Sequence, residues 1–175
     1  MNDYDFTLKF KLQNSDVNFD QLVEALGRGG CADALIGTGT PGSIAFDFTR
    51  AARSAFDAVL SALGDIKKVI PDAKLIEAAP DFVGLADVAD YLGCSQQNVW
   101  KLKAGSATEF PIPVHEGNPS IWHLAEILLW LKDQGSYKFE ERLIEIARIN
   151  MQVNLAKEAN GLEPKIQEKM HALIA

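Results

Sequence analysis

The side chains best suited to chemistry lie in one stretch near the middle of the chain: Ser95, Gln96, Gln97, Asn98, Trp100, Lys101 and Lys103. Amide side chains can pair with adenine edges, and lysines can meet guanine edges or phosphates. Between Asp90 and Glu109 the only formal charges are Lys101 and Lys103. A chain with a net charge of −7 thus keeps carboxylates off the one segment that could meet a polyanion. The acidic balance argues against a protein that coats nucleic acid without selectivity, but not against a sequence-specific binder.

Other reactive side chains are dispersed. His115, His123 and His171 are scattered, and the N-terminal half has no histidine. Cys31 and Cys94 lie far apart, without a Cys or His at metal-ligand spacing. There is no Ser/His/Asp set and no carboxylate pair in an apolar setting, so no enzyme activity, metal or cofactor is expected. The glycine-rich run from Gly37 to Gly42 lacks the Lys-Ser/Thr ending of a phosphate loop and leads into a strand, so it reads as a turn.

The elements that must hold the polar stretch are legible around it. Leu85, Val88, Ala89 and Leu92 form the apolar face of a first helix. Gly93 can end it in a left-handed conformation, and Ser95 can cap a second helix. Val99 and Leu102 turn that second helix toward the core, leaving the polar residues outward. Phe110-Pro111-Ile112-Pro113-Val114 and Ser120-Ile121-Trp122 flank His115-Glu116-Gly117-Asn118-Pro119 and read as a β-hairpin wing. A third helix carries Leu124, Ile127, Leu128 and Leu131, with Trp130 near its end.

The run GLADVADYLGCSQQNVWKL, then FPIPV, then IW with a Trp eight residues on, resembles the winged helix-turn-helix regulators of the MerR superfamily. The likeness is greatest to the small AlpA/excisionase-like members and covers about residues 82–133. It implies a DNA-binding transcriptional regulator in which Ser95 to Lys103 enter the major groove. The wing, with His115 and Asn118, and His123 behind it would touch the flanking backbone or minor groove. The wing departs from the family in lacking Arg and Lys, and His123 stands where a basic residue is common. Phosphate contacts dominate affinity, so weaker and less salt-sensitive binding follows. The alternative is a diverged module that serves as a protein-interaction adaptor or antitoxin-like component.

The first part of the chain alternates. Tyr4, Phe6, Leu8, Phe10 and Leu12 interleave with Asp5, Thr7, Lys9 and Lys11, a half-buried strand. Asn18 can cap a helix bearing Phe19, Leu22, Val23 and Leu26, which Gly27, Gly29 and Gly30 stop. Two strands follow, one at Ala34-Leu35-Ile36 and one carrying Ile44, Phe46 and Phe48. A helix bears Phe56, Val59, Leu60, Leu63, Ile66 and Ile70, and a last strand spans about 73–78. The order βαββαβ is that of the ferredoxin-like sandwich, with both helices on one sheet face.

A long helix is predicted from about 139 to 159, with Phe139, Leu143, Ile146 and Ala147 in a stripe that contains Asn150 and Asn154. Asparagine in an apolar seam fixes register and oligomer state in coiled coils. Leu143, Ile146, Asn150 and Asn154 are therefore expected to meet a second copy in a homodimer, the alternative being hydrogen bonds to nearby backbone. A short last helix spans about 165–174.

The sequence thus predicts an α+β chain: a ferredoxin-like βαββαβ domain (1–79), a MerR-like winged helix-turn-helix (80–135) and a C-terminal helical dimerisation segment (136–175). The expected partner is double-stranded DNA. The start lacks a basic region followed by an apolar stretch, and no run is long enough to cross a bilayer, so a cytoplasmic, membrane-free protein is expected.

Overall fold

The computed structural model describes residues 1–13, 18–105, 109–135, 137 and 139–174. It is a mixed α+β chain built around two hydrophobic cores.

The first core rests on a four-stranded antiparallel sheet of β1 (Asn2–Lys11), β2 (Ala34–Gly37), β3 (Ser43–Ala52) and β4 (Lys74–Ala79), in the order β2-β3-β1-β4. Period-two alternation sends Tyr4, Phe6, Leu8 and Phe10 of β1, and Ile44, Phe46 and Phe48 of β3, to one face. There they meet α1 (Phe19–Leu26) through Leu26, and α2 (Ala55–Val69) through Ala55, Ala58, Val59, Ala62 and Ile66. Each fully buried large apolar side chain contributes about 1.5–3 kcal/mol. Phe6 and Phe48 also stack at 5.1 Å. The opposite face is polar: Thr7 donates to Asp47 at 2.7 Å and Thr49 donates to Asp5 at 2.7 Å.

Asn18 caps α1 by accepting from the Gln21 N–H at 3.1 Å. α1 ends at Leu26, as the glycines lead one to expect, and a π turn over Gly27–Cys31 follows, kinked at Gly30, which takes φ 111°. Arg50, 6% exposed on the buried side of β3, holds this turn. Its guanidinium binds the Gly30 carbonyl at 2.6 Å, Asp33 bidentately at 2.8 and 2.9 Å, Asp65 at 3.0 Å and Ser61 at 3.1 Å. All five guanidinium N–H groups have acceptors. The Gly37 to Gly42 run is a turn, with the Ser43 N–H bound to the Thr40 carbonyl and Gly42 at φ 74°.

The second core gathers β5 (Phe82–Val83), α3 (Leu85–Leu92), α4 (Gln96–Gly105), β6 (Trp122–His123) and α5 (Leu124–Asp133). β5 and β6 pair antiparallel, and His115 bridges Ile121 in the loop before β6.

The long helix, α6 (Glu141–Ala159), begins two residues after the expected Phe139 and serves both cores. Ile146 enters the first, while Ile144 and Ala147 enter the second. It packs on α2, α5, β1 and β4. The stripe expected to face a second copy is therefore filled by the chain itself, and the sequence reading needs correction there. Ile146 is 2% exposed, Asn150 0% and Asn154 1%, with Leu143 half-buried against both cores. The Asn154 amide accepts from the Ala78 N–H at 2.9 Å and donates to the Ala78 carbonyl at 2.8 Å. It meets edge strand β4 as the peptide of another strand would, which closes that part of the edge. Asn150 donates to the Pro80 carbonyl at 3.3 Å. A helical stripe specifies burial but not whose surface buries it. The expected segment limits at 136 and 175 lie outside the described residues. The last helix, α7 (Pro164–Ile174), buries none of its residues.

Candidate nucleic-acid interface

α3 starts at Gly84, whose N–H donates to Asp87 at 2.7 Å. It ends at Gly93, which takes the left-handed conformation at φ 60°, ψ 34°. The Cys94 N–H then reaches back to the Ala89 carbonyl at 3.0 Å and the Gly93 N–H to Asp90 at 3.1 Å, satisfying carbonyls that the helix end leaves open. Ser95 starts α4, its hydroxyl accepting from the Asn98 N–H at 3.3 Å. Val88, Ala89 and Val99 are buried where the two helices meet.

This arrangement turns one side of α4 to solvent. Ser95, Gln96, Gln97, Asn98 and Lys101 are exposed, and Trp100 is 53% exposed. Lys103 is half-buried. Its ammonium lies 5.0 Å from the Trp122 ring centre, 5.3 Å from Trp100 and 6.0 Å from Phe110, a cation–π setting that draws it toward the aromatic cluster. α4 itself carries no carboxylate.

Beside α4, the segment from Phe110 to Trp122 is anchored by its aromatics. The Trp122 indole donates to the Pro111 carbonyl at 2.9 Å, and Phe110 meets Trp122 and Trp130 edge-on at 5.9 and 5.0 Å. His115 and Asn118 are exposed at its tip, as are Ile112 and Val114.

His123 departs from expectation. Its side chain is 12% exposed, its Nδ1 lies 2.7 Å from an Asp81 carboxylate oxygen and its ring rests on Phe82 at 5.3 Å. It is tied inward and is not presented for a phosphate. The reason is Asp81, 1% exposed, whose other oxygen accepts from Asn154 at 2.7 Å and whose backbone carbonyl accepts from the Leu124 N–H at 2.7 Å. Asn154, Asp81 and His123 thus join β4, the connector, β6 and α6. Sequence reading missed Asp81. The signal was a carboxylate set between Pro80 and Phe82-Val83, a connector otherwise apolar. It also missed Arg50, whose signal was a charge at a buried register position of β3.

Arg50 is held as structure, not as a site. The bidentate Arg50 guanidinium keeps the Asp33 carboxyl below its ordinary value. Nearby Cys31 is 1% exposed, and burial pushes its thiol up to about 11. Tyr4 donates to Glu145 at 2.9 Å, and that hydrogen bond together with burial holds the phenol above its ordinary value.

Among the described residues, no three His, Cys, Asp or Glu side chains converge as metal ligands, and no helix is long and apolar enough to cross a membrane. No protein-family model matches the chain, and neither the curated proteins nor the solved structures hold a match to it.

Proposed function

We propose that the chain is a sequence-specific, double-stranded DNA-binding regulator of transcription. In this reading, residues of about 82–133 form a MerR-like winged helix-turn-helix whose α4 enters the major groove. Gln96, Gln97, Asn98 and Lys101 read base edges, and His115 and Asn118 of the wing approach the backbone. The preceding βαββαβ unit is a ferredoxin-like sandwich; its antiparallel order β2-β3-β1-β4 supports that. The observation carrying the proposal is the exposed, carboxylate-free side of α4, framed by a left-handed glycine turn and the loop from Phe110 to Ile121, which is closed by a single His115–Ile121 bridge where the sequence predicts a hairpin.

Two half-sites a helical turn apart call for a homodimer. With the α6 stripe filled internally, the second copy would meet the chain at another surface. Selection of bound duplexes from a random pool tests the proposal. An enriched motif of defined length supports it, and an unenriched pool after repeated rounds at low salt refutes it.

A second reading, a protein-interaction adaptor or antitoxin-like component, is favoured by one observation. Trp100 (53% exposed), Ile112 (84%) and Val114 (52%) bring apolar surface beside α4. A native pull-down returning a stoichiometric protein and no DNA would select it.

A further inference from the structure

An open cleft of about 470 Å³ lies between the start of α2 and the middle of α6. Arg53, in the turn before α2, and Arg148, on α6, line it, together with Phe56, Ile149 and the Tyr4–Glu145 pair. Both arginines are exposed, and among the described residues neither has a hydrogen-bond or ion-pair partner. This is unusual for the chain. Arg28 and Arg142 each hold a glutamate, and Arg50 holds two aspartates. With 24 acidic residues against 17 Lys and Arg, two unpaired guanidiniums in one cleft stand out. Among the described lining residues the one carboxylate is Glu145, which accepts from the Tyr4 hydroxyl and leaves the two guanidiniums in excess. Phe56 is 56% exposed on the wall and Ile149 lies half-buried behind it.

We propose that this cleft binds a small organic anion, its phosphate or carboxylate head on Arg53 and Arg148 and an apolar ring or chain on Phe56 and Ile149. Guanidinium forks favour oxyanions by charge and by parallel N–H donation, and an apolar wall adds burial of the ligand body. The larger groove on the open sheet face offers the opposite field. Asp5, Asp33 and Asp47 line it, Asp33 already paired with Arg50, and among its described lining residues there is no Lys, Arg or His to hold the same ligand.

Calorimetric titration of the full chain with phenyl phosphate, benzoate and inorganic phosphate tests this site independently of DNA binding. Saturable binding of phenyl phosphate or benzoate is expected, weakened about tenfold or more in Arg53→Ala and in Arg148→Ala. Phe56→Ala should weaken the aromatic anions while leaving inorganic phosphate unchanged. Which aromatic anion binds tighter identifies the head group. The proposal is overturned if neither aromatic anion saturates, if inorganic phosphate binds as tightly as both, or if both arginine variants bind like the parent.

Discussion

Replacing Asn154 with Leu keeps the branched shape of the side chain and removes the three hydrogen bonds by which Asn154 joins β4 and the connector to α6. Three groups lose their partner: the Ala78 N–H, the Ala78 carbonyl and one oxygen of Asp81. All are buried with Asn154 at 1% and Asp81 at 1% exposure. Leaving a buried polar group unpaired costs about 1–3 kcal/mol, and more when it is charged. Allowing for partial relaxation, the loss is about 4 kcal/mol, a large share of the about 5–15 kcal/mol that holds a domain folded. In a chain of this size that lowers the melting temperature by about 8–16 °C. Asn154→Asp should cost at least as much, since it sets a second carboxylate against Asp81. Thermal unfolding followed by circular dichroism gives the number. A shift of less than about 2 °C for Asn154→Leu would refute the hydrogen-bond account. Light scattering should give Asn154→Leu, where it folds, the same mass as the parent, because the amide serves its own chain. A mass halved by the substitution would return Asn154 to an intermolecular seam.

Three other outcomes follow from the same geometry. With the Cys31 thiol pushed up to about 11 and 1% exposed, about one molecule in a thousand holds a thiolate at pH 8, so iodoacetamide should label Cys94 first, and mass spectrometry of the native chain would read it. The Asp33 carboxyl is depressed when folded, so its stabilisation is fully present above the ordinary Asp value near ~4 and is lost as pH falls through the folded value. Urea titrations should accordingly show Asp33→Asn less stable than the parent at pH 7, with the gap closing in acid; a constant gap would contradict the pairing with Arg50. Lys101→Ala should weaken binding to the selected duplex by about 1–3 kcal/mol and relax specificity at the base pair it reads, measured by fluorescence anisotropy on matched and mismatched duplexes, whereas His123→Ala should act first on stability.

Much of the first unit is written in local pattern. Period-two apolar residues fix which face of β1 is buried, and Asn18 announces the start of α1, because both signals act within a few residues. Gly93 and Ser95 mark the turn between α3 and α4 for the same reason. What escaped was non-local. Asp33 and Asp65 reach Arg50 only after the sheet and α2 have docked, and with the Gly30 carbonyl they fix the turn that follows α1. Asn150 and Asn154 are read correctly as buried amides, but the partners they meet lie seventy or more residues away on the same chain, not on a copy. The place of His123 beside the wing suggests a phosphate contact, but Asp81, set just before β5, meets its ring once β5 and β6 have paired.

The account stands on the outward side of α4 being the surface that meets a duplex. Amide resonances of the labelled chain, followed during addition of a short duplex at low salt, test this most directly. The prediction is that shifts concentrate at Gln96, Gln97, Asn98 and Lys101, with a second group at His115 and Asn118. Shifts confined to the sheet or to α7, or none at millimolar duplex, would contradict it.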